Sequence, residues 1–277
     1  MNRNLRIIIP IAAIAVLVLG YVGYQYLIVA DSPDEVSTES ALDQLSEDLA
    51  EEADAEQEVT ADPETEEVAG GDEVTDDEPV DESTGSEASP AGAEGVWVVD
   101  DDFGDFAFEN ASGSFAGFRV DKELFVGGVQ VAVGRSGDVS GSITIADGTV
   151  SAGEIVVVTT SLESDIGART NAVRDAVKAE DFGTATFAIT SSTAIDTAAL
   201  EAGDTVAADI VGDLTIAGVT NTETISAEAT IAEDGIALII GTADLVWADY
   251  DVDTPNSSAG TVAESGILEF QLIVRLG

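Results

Sequence analysis

The chain has 277 residues, no Cys, no His and a formal net charge of -46. Without thiols there is no disulfide framework and no thiolate nucleophile. Without imidazoles there is no His-based acid–base chemistry and no zinc site built on N or S ligands. A surface this acidic repels the phosphate backbone, which Lys and Arg must neutralise, so no nucleic-acid partner is expected.

The charge divides the chain into three parts. Residues 1–30 carry Arg3 and Arg6 and no acid, residues 31–95 carry 25 acidic residues and no Lys or Arg, and residues 96–277 carry 30 acidic and seven basic residues. In the first part an uncharged run follows Arg6 and continues to Ala30. As a helix it would reach about 36 Å, enough to cross about 30 Å of hydrocarbon. Tyr21, Tyr24 and Tyr26 cluster at its far end, where an aromatic belt sits, and Pro10 falls in the early turns, where a missing amide is tolerated. A cleaved signal peptide is the rival, but the run is long for one and no clean A-x-A site precedes Asp31. The expectation is a single-pass signal anchor over residues 1–30, in contact with the membrane through residues 7–29. Its basic end stays in the cytoplasm and the C-terminal part lies outside.

Residues 31–95 are rich in Asp, Glu, Ser, Thr and Ala and contain no aromatic residue. Such a composition buries too little surface to offset the entropy of ordering, and a disordered acidic linker is expected. Leu42, Leu45 and Leu49 share a spacing that allows a transient helix, with no partner evident for it. A flexible chain of this length spans about 45 Å, which suits a spacer between a membrane and a folded unit.

Residues 96–277 read as strands. The stretch 206–217, VAADIVGDLTIA, alternates: Val206, Ala208, Ile210, Gly212, Leu214 and Ile216 share one face, while Asp209 and Asp213 share the other. A second alternating run, with Ile225, Ala227, Ala229 and Ile231 on one face, follows Ala217-Gly218, so the two form an antiparallel hairpin. Earlier in the chain, Trp97 and Val99 share a parity, Phe106 and Phe108 form a second short run, and Val129, Val131 and Val133 alternate. The run 154–160 is β-branched, as a central strand requires. The expected helix lies over 170–182, where Val173, Ala176 and Val177 recur at helical spacing. Later come a long apolar run over 235–247 and a last strand with Leu268, Phe270, Leu272 and Val274 inward, whose polar face Ile273 interrupts. Eight or nine sequential strands with one short helix predict a mainly β fold. A closed antiparallel barrel removes exposed edges, and the small inward residues Ala208, Gly212, Ala227 and Ala229 favour a barrel with internal volume over a sandwich.

The order of several stretches resembles the YceI-like, or polyisoprenoid-binding-like, domain. They are Trp97-Val98-Val99-Asp100, Gly113-Ser114-Phe115-Ala116-Gly117-Phe118, Val139-Ser140-Gly141-Ser142-Ile143 and Ala185-Thr186-Phe187. The most specific is Val211-Gly212-Asp213-Leu214-Thr215-Ile216-Ala217-Gly218-Val219-Thr220, and the segment 243–250 also fits. The resemblance covers about residues 96–277. It implies a lipocalin-like barrel with a long channel that holds an isoprenoid tail, as a polyprenyl lipid or an isoprenoid quinone, and no general enzymatic activity. Family members often carry His near the opening strand and in the glycine-rich hairpin; this chain has Asp101, Asp102 and Ala217 at the corresponding places.

Expected wall residues of such a channel are Phe108, Phe118, Phe125, Phe187, Ile210, Leu214, Trp247 and Phe270, with Phe182 capping one end. For each, ordinary core packing is the alternative. Arg169 and Arg174, with Asp165 and Asn171, are candidates for an anionic headgroup at the mouth; plain surface charge is the alternative there. Asp249, Asp251 and Asp253 alternate but do not match the spacing of an EF-hand loop, so no metal site is assigned. Two Asn-x-Ser triplets, at 110–112 and 256–258, are frequent chance matches. No carboxylate pair stands out for catalysis in so acidic a chain, and no catalytic residue is named. Two functions stay open. One is a tethered, non-catalytic binding protein for an isoprenoid lipid, quinone or similar apolar ligand. The other is a surface-displayed structural or protein-interaction domain with a solid core, its protein partner unspecified.

Overall fold

The computed structural model describes residues 32–59, 92–109, 111–125, 128–232, 235–254 and 260–277. The expected anchor, about half of the expected linker, Asn110 of the first Asn-x-Ser triplet and the whole of the second triplet lie outside these residues. Among the described residues no helix is long and apolar enough to cross a membrane.

In chain order the strands are β1 (Gly95–Val99), β2 (Phe115–Leu124), β3 (Gly128–Ser136), β4 (Val139–Ala146), β5 (Thr149–Val158), β6 (Glu163–Ser164), β7 (Thr184–Ile189), β8 (Thr193–Ala194), β9 (Val206–Ile216), β10 (Val219–Ile231), β11 (Ile236–Val246), β12 (Gly260–Val262) and β13 (Ser265–Leu276). The helices are α1 (Thr38–Val59), α2 (Gly167–Ala176), α3 (Ala179–Phe182) and α4 (Thr197–Glu201). Eight strands close a ring in the order β1, β4, β5, β7, β9, β10, β11, β13 and back to β1. Neighbours are antiparallel throughout, so the barrel has no open edge around its ring.

Closure depends on β13, the long last strand. Its early half, Ile267 to Gln271, pairs with β2, and its late half, Val274 to Leu276, pairs with β1. The β2–β3 hairpin therefore leaves the ring beside β1. At the switch, Ile273 would lose its ladder partners. Instead its N–H donates to Ser114 Oγ at 2.9 Å and its carbonyl accepts from Asp100 N–H at 2.9 Å. Nearby, Gln271 Nε2 donates to Gly113 O at 3.0 Å. A buried backbone pair is satisfied where two strands part.

The hairpin of β9 and β10 has the expected register, with Ile216 opposite Val219. Ala217 and Gly218 both take the left-handed conformation, with φ of 51° and 79°, as a two-residue turn matched to strand twist requires. Outward Asp209 and Asp213 accept from Ser226 and Thr222 across the pair.

Several expectations need correction. Phe106 and Phe108 lie in an irregular segment before β2, not in a strand. The expected helix begins earlier, at Gly167, and breaks at Lys178, whose φ of 52° interrupts helical geometry and separates α2 from α3. The larger correction concerns the acidic linker. Its early part is the helix α1, and α1 has a partner: Ala41 and Leu45 are buried against Ile236, Leu238, Ile240 and Ile273 on the outer wall. This explains why β11 is apolar on both faces and why Ile273 interrupts the polar face of β13. The chain just before α1 is fixed as well. Arg119 Nη2 donates to Pro33 O at 2.6 Å, and Arg119 and Arg135 both donate to Asp34 O. The remainder of the expected linker, residues 60–91, lies outside the described residues.

Candidate functional site

Alternation places apolar side chains inside the ring, and glycine keeps them against the wall. A Cβ on Gly134 would lie 2.6 Å from the Phe118 ring, one on Gly241 2.2 Å from Phe270, and one on Gly212 2.5 Å from Phe187. Each ring thus lies over bare backbone of a neighbouring strand, and the barrel centre stays open.

Two cavities result. The inner one, about 160 Å³, is walled by residues such as Phe187, Ile210, Leu214, Ala227, Phe270 and Leu272. The wider one, about 420 Å³, lies between the inward face of β2 and β3 and the helix α2. Ala116, Val157, Ala185, Ile216 and Leu268 line both, so the two abut. The wider volume falls in the range of small-molecule sites, about 300–1,000 Å³. The interior is hollow, which removes the solid core from the second function considered above.

The roof of the wider cavity is α2, which contributes Ala168, Ala172, Val173 and Ala176. Short polar ties hold it in place. Arg174 Nε donates to Leu162 O at 2.7 Å, Ser164 N–H donates to Thr170 Oγ1 at 3.0 Å, and Ser164 Oγ donates to Val133 O at 2.6 Å. On the far wall Trp247 meets Phe118 edge to face, with centroids 5.7 Å apart. The Trp247 indole N–H and the Thr159 hydroxyl, both in residues that line this cavity, are buried with no hydrogen-bond partner. Deeper support comes from Tyr250, fully buried, whose hydroxyl donates to Glu223 Oε1 at 2.8 Å. Burial first, and then Glu223, push the Tyr250 phenol well above its ordinary value.

Charges border the wider cavity at Lys122, Arg169 and Asp253. Arg169 pairs with Asp165 at 2.5 Å. Burial, together with the neighbouring Arg169, holds the Lys122 ammonium below the usual lysine value. Asp251 is paired with Lys178, whose ammonium lowers its carboxyl pKa. The aspartates at 249–253 do not converge, and among the described residues no group of three His, Cys, Asp or Glu forms a metal-sized cluster.

The sequence-derived residues therefore separate. Phe118, Arg169 and Trp247 line the wider cavity, and Phe187, Ile210, Leu214 and Phe270 the inner one. Four others are placed elsewhere. Phe125 is 69 % exposed beyond the end of β2. Phe108 lies in the segment before β2 and lines neither cavity. Arg174 is used in tying α2 to Leu162. Phe182 lies against the β9–β10 turn, within contact of Gly218, instead of capping the interior. Sequence reasoning missed Lys122, although its parity with Ala116, Phe118 and Val120 on β2 marks it as inward. It also missed α2 as a roof, because a helix over 170–182 has no visible partner in the sequence.

A hollow antiparallel barrel, apolar inside and bordered by a few charges beside a roofing helix, is the architecture of a small-molecule binding domain. Residues 109–274 match the model of the YceI-like domain, and since this is more than half of the 277 residues, the chain belongs to that family. Among solved structures it is similar to BcnA of Burkholderia cenocepacia, with 20 % identity over 57 % of this chain and 95 % of that one and a TM-score of 0.43. It is also similar to a polyisoprenoid-binding domain of Saccharophagus degradans implicated in plant cell wall breakdown, with 17 % identity over 66 % and 99 % of the two chains and a TM-score of 0.48. A YceI protein of Campylobacter jejuni matches with 20 % identity over 50 % and 83 %, at a TM-score of 0.37. No curated protein sequence matches the chain.

Proposed function

We propose that this chain is a membrane-tethered, extracytoplasmic and non-catalytic binding protein for a long apolar ligand, an isoprenoid lipid or isoprenoid quinone. The observation that carries the reading is the pair of abutting cavities with apolar walls. A long tail fits that shape: the inner cavity is walled by apolar residues with Thr186 alone as a polar one, and the few charges lie at the border of the wider one. The hydrophobic driving force is about 0.8 kcal/mol per buried CH₂, so even a partly inserted tail gains substantial affinity. The isoprenoid class comes from the family resemblance, and the tether from the apolar run over residues 7–29. A binding role also suits the wider cavity, whose charged residues include one carboxylate, Asp253, and offer no carboxylate pair for acid–base work.

A quinone titration tests the proposal. Trp247 lines the wider cavity, whereas Trp97 is buried with its indole donating to Ala93 O. A long-tailed quinone should quench the fluorescence of Trp247 saturably, and a Trp247→Phe variant should lose most of that response. Quenching no stronger than that given by the quinone headgroup alone would count against the proposal.

A further inference from the structure

The described chain starts at one particular place on the barrel. Ser32 Oγ donates to the carbonyl of Val131 on β3, and the next two residues are held by Arg119 and Arg135. The uncharged run of the sequence ends at Ala30, and Asp31 is the first residue whose charge keeps it out of hydrocarbon. Two residues reach at most about 7 Å. If residues 7–29 cross a membrane, the barrel has no room to stand away from it. The part of the barrel nearest Ser32 must lie against the lipid surface.

That part is the far end of the β2–β3 hairpin, and its composition suits the position. Phe125 is 69 % exposed, Val129 65 % and Val131 37 %. They are three of the eight large apolar residues exposed among the described residues, and all three lie on this hairpin. A second exposed apolar group, Val96, Val98 and Leu276, sits where β1 meets the late end of β13. β13 separates the two: its Ser265 end lies toward the hairpin tip and its Leu276 end beside β1, about 35 Å apart along the strand.

The strand registers place the wider cavity at the hairpin end. Its lining takes Leu268 from β13 and Leu245 from β11, and Leu245 pairs with Gly266. The inner cavity takes Phe270 and Leu272, further along β13. Lys122, at the border of the wider cavity, is two residues from the end of β2, and Val262, also in the lining, pairs with it.

We propose that the barrel docks on the outer surface of the bilayer through the β2–β3 hairpin, with Phe125, Val129 and Val131 in contact with lipid and the wider cavity turned toward the membrane. This rests on the reading that residues 7–29 anchor the chain. A ligand tail then passes between bilayer and barrel without crossing bulk water. The carboxylates of Asp121 and Glu123 lie opposite Val131 and Val129 in the hairpin, so the lipid surface it suits is zwitterionic, not anionic.

The sequence has no Cys, so a single introduced thiol can be labelled without background. Val129→Cys, Phe125→Cys and the distal Val96→Cys are made in the full chain, labelled with an environment-sensitive fluorophore and reconstituted in phosphatidylcholine vesicles with or without brominated acyl chains. Labels at 129 and 125 should be quenched by brominated lipid by a factor of about two or more, as a seat roughly 5–10 Å deep implies, while the label at 96 is unaffected. Vesicle flotation of the same samples separates the two readings. Flotation with equal, weak quenching at all three sites overturns the docking and leaves the anchor. Failure to float overturns the anchor, and the docking with it. A label at 129 shielded from aqueous iodide yet untouched by brominated lipid means that protein covers the hairpin, which also overturns the proposal.

Discussion

Arg135 Nε donates to Glu269 Oε1 at 2.8 Å on the outer wall of the barrel, where Glu269 is 1 % exposed and Arg135 4 % exposed. Arg119 reaches the other carboxylate oxygen at 3.3 Å. One acid thus sits between two cations, and the backbone carbonyls of Pro33 and Asp34 take guanidinium donors that Glu269 leaves over. Burial lowers the pKa of Arg135, and Glu269 acts in the opposite direction. The cluster joins the N-terminal segment to the barrel by charge-assisted hydrogen bonds.

Removing the acid should therefore be far more damaging than its place on an outer wall suggests. Glu269→Ala leaves two buried guanidiniums facing each other, and a broken buried pair costs about 3–5 kcal/mol. The expected result in denaturant melts is a loss of that size. Glu269→Gln, which keeps acceptor capacity, should lose less. A loss below about 1 kcal/mol for the alanine variant, the level of a surface pair, would show that the cluster is solvated.

The docked helix gives a second prediction. Leu45 is 1 % exposed against Ile236, Leu238 and Ile273. Leu45→Asp should release α1 while the barrel keeps its strands, so that limited proteolysis cuts within residues 38–59 and the uncovered wall binds a hydrophobic dye. Unchanged resistance in this segment would argue against the docking of α1.

A third prediction concerns the passage between the cavities. Ala185 lines both. Ala185→Phe should obstruct the passage, at a packing cost of about 1–3 kcal/mol in the core. Excluding two methylenes of tail costs about 1.6 kcal/mol, or roughly tenfold in affinity. Long-tailed quinones should lose at least about that much in a binding titration, and short-tailed ones much less. Equal losses for both would mean that tails do not pass Ala185.

Tyr250 supplies a pH dependence. Its phenol is pushed up by burial and by Glu223, so the folded state keeps the proton at a pH where the unfolded chain, near its ordinary value of about 10, releases it. The unfolded state then binds fewer protons, and stability that is fully present below about pH 10 falls as the pH rises above it. Subtracting the alkaline absorbance titration of Tyr250→Phe from that of the wild type should show no phenolate step near pH 10, and the variant should lose the corresponding fall in stability. An ordinary step near pH 10 would place the phenol in water.

The barrel was legible because alternation is local. Val206 to Ile216 and Leu268 to Val274 each declare an inner face in a few residues, and Ala217-Gly218 declares the turn between two strands. What sequence could not supply was the partner of each apolar face. Leu42, Leu45 and Leu49 form a helical stripe, and Ile236, Leu238, Ile240 and Ile273 form an apolar outer wall, but their match is a tertiary fact about segments distant in the chain. Composition overrode the stripe, because acid-rich chain is usually solvated. The aromatic residues divided for a related reason. Phe118, Phe187 and Phe270 each lie over a glycine on a neighbouring strand, whereas Phe182 packs on Gly218 in the β9–β10 turn and Phe125 is exposed, and only the strand register reveals such pairings.

The central claim is that the barrel holds a long apolar ligand, and the most direct test is to ask what it already carries. The full chain, purified from a membrane-containing host, is examined by native mass spectrometry, and its organic extract is identified. The account predicts one apolar molecule per barrel, with an isoprenoid or similarly long tail. A barrel that is empty, and that stays empty after incubation with polyprenyl lipids and long-tailed quinones, would contradict it.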